Sequence, residues 1–325
     1  MLVACMGMNK KGKCLLDFID FPFTICNAKE SNNGEDSFLL HLDNDLTVCC
    51  VCDGCGGAGA KKYSVFQGKT GAYLASRIVT GTIKDCIPSC LINNDERFVT
   101  FLKESINNNL QLVQNLGGTR SGLKGRLRKE LPTTLAANFI TASNDKALNI
   151  HCVWAGDSRC YLLDLDGLHQ LTKDDLNDLD AMDNLTADGV MTNCISLSRD
   201  YQLHSKSMNA SFPGIIIAAS DGCFSYYSTP MEFEFLLIST LLRSRSVIDW
   251  ERQLETMLSM VAADDFTMSG ISFGFGSFSN LKRAFVSRRN ELFNEYIENL
   301  NKLSNEQRHS KWLDYKENYL RFLSI

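Results

Sequence analysis

The chain has 325 residues, 44% of them hydrophobic and 22% charged, the profile of a soluble globular protein with material for a sizeable core. A formal net charge of −5 argues against a general nucleic-acid binder, whose footprint would be basic. No apolar run approaches a membrane span, Met1–Cys14 has too short an apolar run for a signal peptide, and the 13 irregularly spaced cysteines read as reduced thiols, so a cytoplasmic protein away from membranes is expected.

In chain order, Ser37–Leu42 and Leu46–Cys52 are apolar runs joined by Asp43-Asn44-Asp45, a hairpin signal. Cys49, Cys50 and Cys52 lie in the second run, where thiols pack as small hydrophobes. Apolar residues at three- and four-residue spacing predict helices over Ala60–Ile83 and Glu96–Leu116. Gly117–Lys129 is a Gly-rich basic loop, read as solvated. Strands are predicted at Thr134–Ser143, Leu148–Ala155 and Arg159–Leu165, the last turning into Leu168–Leu171. Lys173–Arg199 is irregular and polar, and a mobile flap over a cleft is expected there. Gly214–Ala219 reads as a buried strand, Thr229–Arg243 and Val247–Ala262 as helices, and Asp265–Phe275 as a strand. From Asn280 to Ile325 the chain has neither glycine nor proline and carries two apolar stripes at helical spacing. Strands in hairpins with helices in separate blocks predict an α+β fold rather than βαβ units.

Aspartates recur at the ends of these strands. Asp36 precedes Ser37–Leu42, Asp53 follows Leu46–Cys52, Asp221 follows Gly214–Ala219, and Asp264 precedes Asp265–Phe275. Asp157 lies between two strands. Hard divalent cations take oxygen ligands, and two such ions can activate water and clamp a phosphoryl group. Aspartate also ends strands merely because it makes turns.

The words around these acids are more specific than the acids alone. Asn33-Gly34-Glu35-Asp36-Ser37-Phe38, Asp53-Gly54-Cys55-Gly56-Gly57, Leu131-Pro132-Thr133-Thr134-Leu135-Ala136, Gly156-Asp157-Ser158-Arg159, Ala219-Ser220-Asp221-Gly222 and Asp264-Asp265-Phe266-Thr267 follow one another in that order. This series resembles the metal-dependent protein phosphatase family (protein phosphatase 2C type), in its bacterial-like form, from about Ile25 to Gly276. The resemblance implies a four-layer α-β-β-α sandwich of two antiparallel sheets flanked by helices. It implies a phosphatase domain over 1–279, with 280–325 left as a helical C-terminal extension. It implies two Mg²⁺ or Mn²⁺ ions held by Asp36, Asp53, the Gly54 carbonyl, Asp221 and Asp264, with Asp53 and Asp221 central to catalysis. Glu35 would stand outside the direct ligands. The expected reaction is hydrolysis of phosphoserine or phosphothreonine on a phosphorylated protein substrate by a water that the two metals activate. A monomer is expected.

The sequence departs from the family pattern in three places. Cys55 stands where many members have a histidine. No arginine precedes the first acidic motif, which leaves Lys29 as the candidate phosphate ligand, and lysine does not reproduce a bidentate fork. A third metal would use Asp157 with a second aspartate, but that second position is Ser225. These departures keep open an alternative, a catalytically weak member acting as a regulatory or binding module. Gly54-Cys55-Gly56-Gly57-Ala58-Gly59 also satisfies a dinucleotide-binding spacing, but Asp53 directly before it would repel a pyrophosphate.

Overall fold

The protein is described by a computed structural model that covers residues 14–29, 33–90, 95–117, 129–144, 146–177 and 190–323. The first half comprises strands β1 (Ile19–Asn27), β2 (Ser37–Leu42), β3 (Thr47–Cys52), β4 (Lys62–Tyr63) and β5 (Lys69–Thr70), helices α1 (Gly71–Cys90) and α2 (Asp95–Leu116), then β6 (Leu135–Asn144), β7 (Ala147–Ala155), β8 (Arg159–Asp164) and β9 (Gly167–Gln170). The second half comprises β10 (His204–Ser211), β11 (Gly214–Ala219), α3 (Pro230–Arg243), α4 (Val247–Ser259), β12 (Phe266–Phe273), α5 (Phe278–Ala284), α6 (Val286–Leu292) and α7 (Asn305–Tyr319).

Two five-stranded sheets result, ordered β1-β12-β11-β8-β9 and β10-β7-β6-β3-β2, with every pairing antiparallel. The alternation of side chains along each strand explains the layering. In β3, Cys49 and Val51 face the other sheet, while Val48, Cys50 and Cys52 face the side that α1 and α2 cover. In β11, Ile216 and Ala218 point into the space between the sheets, and Ile215, Ile217 and Ala219 pack under α3 and α4. Each central strand is thus buried on both faces, and the molecule is an α+β sandwich of helix, sheet, sheet and helix layers. At roughly 1.5–3 kcal/mol for each large apolar side chain buried, these three clusters dominate its stability.

Helix starts follow local chemistry. Thr229 caps α3 with its side chain, Glu232 returns the bond, and Pro230 occupies the first helical position. Two predictions need correction. The helix expected over Ala60–Ile83 begins only at Gly71, because Gln67 and Gly68 adopt left-handed conformations (φ 56° and 74°) that turn β4 back onto β5. Strands β1 and β10 lie in segments where no strand was predicted. β1 contains Pro22 and sits at a sheet edge, where a missing N–H is tolerated. β10 reads His-Ser-Lys-Ser-Met-Asn-Ala-Ser, an edge strand with a mostly solvated face.

The C-terminal residues fold back onto the sandwich. Leu281, Phe285, Leu292, Trp312, Tyr315 and Tyr319 join the core beneath α3 and α4. Between α6 and α7 the chain passes through a π-helical turn, Phe293–Ile297, and a 3-10 turn, Leu300–Lys302, so the run is more broken than two plain helices. Much of the expected flap, 178–189, and most of the basic loop lie outside the described residues. The described flanks of the flap are tied down: Asp175 N–H donates to the Gly156 carbonyl, and Ile195 exchanges backbone bonds with Thr133.

Candidate functional site

Strand register builds the site. Ser37 pairs with Cys52, so Asp36 and Asp53, one step beyond, leave the same end of the β2–β3 pair. In the other sheet Ala219 pairs with Met268, and Ser220 N–H donates to the Thr267 carbonyl at 2.9 Å, which places Asp221 at the end of β11. The two sheet ends are joined directly: Ser220 Oγ donates to Asp36 Oδ2 at 2.8 Å. Asp157 sits in the turn by which β7 of one sheet passes to β8 of the other. That turn is tied to the others through Thr134, whose Oγ1 bonds Ser158 Oγ at 2.7 Å and accepts from Asp53 N–H at 3.0 Å.

Gly54 follows Asp53 under α1. A Cβ there would lie 2.7 Å from the Ala72 carbonyl oxygen and 2.8 Å from that of Glu35, so only glycine lets the loop approach. Gly222 is fixed similarly, since a Cβ would lie 2.0 Å from the Asp265 carbonyl oxygen.

The result is a set of carboxyls that burial and one another hold back from ionising. Burial foremost, then the charges of Asp36, Asp221 and Asp157, push Asp53 well above its usual range. Burial lifts Asp36 to about 7, against the hydrogen bonds from Ser220 and Thr267, with Asp221 adding to the rise. Asp157 and Asp221 are raised by burial and by neighbouring carboxylates. The charges of Asp36 and Asp221 both bear on the Asp53 carboxyl. Asp36 Oδ1 and Asp157 Oδ1 are buried oxygens with no hydrogen-bond partner.

Among the described residues, no three His, Cys, Asp or Glu side chains surround a common ion-sized centre. Asp36, Asp53, Asp157 and Asp221 instead crowd one another electrostatically. Their chemistry nevertheless fits hard divalent cations, since the donors are all oxygen, two are unpartnered, and the crowded negative charge asks for a positive counterpart.

The remaining sequence candidates lie further out. Asp264 is exposed, at the rim of a cavity of about 320 Å³ that Lys29, Glu35, Thr70 and Asp265 also line. Glu35 accepts from Thr70 Oγ1, and burial raises its carboxyl. Lys29 Nζ donates to the Ala263 carbonyl, so its ammonium is already engaged. Ser225 N–H donates to the Asp221 carbonyl at 2.8 Å.

Sequence reasoning missed two positioning residues. Asp265 accepts from Lys29 N–H at 2.8 Å and from Glu35 N–H at 2.6 Å, clamping the loop that carries Asp36. Arg77 of α1 donates to the Gly34 carbonyl at 2.9 Å and lies 3.5 Å over the Tyr73 ring. Asp265 had a signal, its place beside Asp264. Arg77 had none, because a helix residue forty positions away reaches this loop only in three dimensions.

No family model and no curated protein matches the sequence. Solved structures do match. The serine/threonine phosphatase Stp1 from Staphylococcus aureus superposes with a TM-score of 0.56 at 16% identity, over 84% of this chain and 99% of that one. The chain has the protein phosphatase 2C fold. The S. agalactiae serine/threonine phosphatase is similar at TM-score 0.54 and 16% identity, over 78% of this chain and 100% of its own. The catalytic domain of the serine/threonine phosphatase PstP, crystallised with two manganese ions, is similar at TM-score 0.51 and 16% identity, over 79% and 99% of the two chains. In this phosphatase 2C sandwich the buried carboxyls gather where the two sheets end together. Among the described residues no helix is long and apolar enough to cross a membrane.

Proposed function

We propose that this chain is a metal-dependent phosphatase that hydrolyses phosphoserine and phosphothreonine on protein substrates. One observation carries the reading: Asp36, Asp53, Asp157 and Asp221 are crowded at the sheet ends with unpartnered oxygens, on a fold shared with serine/threonine phosphatases. Asp36, Asp53, Asp221 and the Gly54 carbonyl would hold two Mg²⁺ or Mn²⁺ ions, with Asp264 completing the set from the rim and Asp157 available to a third. Such ions, when bound, supply activation of water and neutralisation of phosphoryl charge.

The chain's own residues do the positioning. Asp265 and Arg77 hold the Gly34–Asp36 loop, and Ser220 orients Asp36. Thr133 and Thr134 fix the backbone of Asp53 through its carbonyl, which accepts from Thr133 Oγ1 at 2.7 Å and from Thr134 N–H at 2.8 Å. Lys29 stands at the rim, where a phosphoryl oxygen would compete with the Ala263 carbonyl for its ammonium. The phosphatase unit would span 1–279, with 280–325 acting as a brace.

A second reading, a catalytically weak member that binds phosphoproteins, draws on the engaged Lys29 and on Ser225. Turnover of a phosphothreonine peptide separates the two. We expect hydrolysis with manganese, loss on chelation and recovery on re-addition. Absence of hydrolysis with either metal would favour the binding module.

A further inference from the structure

Three pairs of thiols are close enough to shift one another's ionisation: Cys50 with Cys52, Cys152 with Cys160, and Cys55 with Cys194. The first two pairs are wholly buried within the apolar clusters, and burial pushes the Cys52 and Cys160 thiols far up. They pack as small hydrophobes.

The third pair differs. Cys55 is half-exposed, whereas Cys194 lies behind it, buried. Lys129 Nζ donates to Cys194 Sγ at 3.0 Å. The hydrogen bond from Cys55 lowers the Cys194 thiol most, burial opposes it, and Lys129 adds a bond and a charge, bringing it to about 6. Lys129 thus favours the thiolate at Cys194, the form that attacks, while the hydrogen bond to Cys194, burial and the charge of Cys194 hold the Cys55 thiol above its usual range.

Backbone bonds hold the two sulfurs together. Thr133 is bridged to Gly54 on one side and to Ile195 on the other, so the residues next to Cys55 and Cys194 flank a single residue. Cys55 N–H donates to the Pro132 carbonyl at 3.2 Å, and Lys129 N–H donates to the Ala58 carbonyl at 3.0 Å. The pair thus has a half-exposed residue in front, a buried sulfur behind it and a cation fixed beside that sulfur.

We propose that Cys55 and Cys194 are a redox-active pair that closes to a reversible disulfide when the protein meets a hydroperoxide. The Cys55 sulfur takes an oxygen from the hydroperoxide. The O–O bond breaks, the thiol proton leaves with the departing oxygen as water or an alcohol, and Cys55 becomes a sulfenic acid. The Cys194 thiolate then attacks the Cys55 sulfur, the S–O bond breaks, and the oxygen leaves as hydroxide as the S–S bond forms. In sum, one hydroperoxide is reduced and two cysteines are oxidised. A thiol reductant reverses the change. The bond would pin the loop after Asp53 to the segment around Ile195.

The test does not depend on phosphatase activity. Reduced full-length protein is exposed to hydrogen peroxide at about pH 7, then denatured, alkylated, digested and mapped by mass. The expected product is a Cys55–Cys194 cross-linked peptide, lighter by the two thiol hydrogens and abolished by dithiothreitol. It forms at least about tenfold faster than any link within the two buried pairs, whose four residues are closed to the oxidant. In Cys194→Ala, dimedone is expected to trap Cys55 as a sulfenic acid. The proposal is overturned if both thiols remain alkylatable while the exposed Cys26 is already oxidised, or if wild-type Cys55 accumulates as a dimedone adduct without closing. The wild-type map decides the matter even if the variant fails to fold.

Discussion

Within Gly156-Asp157-Ser158-Arg159, two residues apart, the protein treats buried charge in opposite ways. Arg159 is satisfied: Nη2 reaches Asp174 Oδ2 at 2.6 Å, Nε reaches Oδ1 at 3.0 Å, and the guanidinium lies 4.2 Å from the Phe224 ring centroid. Asp157 is not, since one oxygen is buried without a partner, and burial, then its charged neighbours Asp221 and Asp174, raise it. The same contrast holds at larger scale. Glu234, fully buried between α3 and the C-terminal helices, receives Arg288 on both oxygens at 2.8 and 3.1 Å and Tyr315 OH at 2.6 Å. Of the carboxyls at the sheet ends, Asp36 receives Ser220 Oγ on one oxygen and leaves the other without a partner. A buried charge completed by the chain itself serves the fold, and a buried charge left incomplete marks where something from outside belongs.

The strongest way to break this comparison is Asp53→Asn or Asp221→Asn. Each is expected to lower phosphate-ester turnover by about a thousandfold, since charge at the reacting centre is lost. The fold should be unharmed, because one repelling carboxylate has been removed. Wild-type turnover in either variant at saturating manganese would end the assignment.

The satisfied network should behave inversely. Arg288→Ala leaves Glu234 buried and alone, and is expected to cost about 3 kcal/mol in urea unfolding. A loss near zero would mean that this tie to the C-terminal helices contributes little.

Cation binding sharpens the contrast. Manganese at about a hundred times its Kd should stabilise the wild-type fold by about 2.7 kcal/mol. The gain should be much smaller in Asp53→Asn, and equal gains would place the ion elsewhere.

Tyr315→Phe removes one hydrogen bond to Glu234 while Arg288 remains, so a loss of about 1 kcal/mol is expected. A neutral result would mean the Arg288 fork alone satisfies that carboxylate.

The smallest effect is in pH. Burial would raise Asp164, but the hydrogen bond and charge of His169, with Arg321, outweigh it and hold this carboxyl below its usual range. Its stabilising contribution is present above an unfolded value of about 4 and is lost as pH falls through the folded value. The sheet-end carboxyls carry the opposite sign, because raised groups favour the folded state on the acid side. Unfolding measured across the acid range should fall less steeply with acid in Asp164→Asn, and an unchanged profile would discount the His169–Asp164 pair.

Much of this was legible along the chain. Ser37–Leu42 and Gly214–Ala219 have the ends read from their apolar runs, because hydrophobic runs and turn residues act locally. Asp36, Asp53, Asp157 and Asp221 were found as strand-end acids within short motifs. What stayed hidden depends on partners distant in sequence. Strands β1 and β10 form at sheet edges against strands that the local pattern does not name. The bond from Lys29 Nζ to the Ala263 carbonyl likewise joins positions far apart in sequence. The chain by itself determined which residues could carry charge into the interior, because residue type and strand phase are local properties. Only the tertiary structure decided which of those charges were completed, because Arg288 meets Glu234, and Lys129 meets Cys194, across separations that no local rule spans.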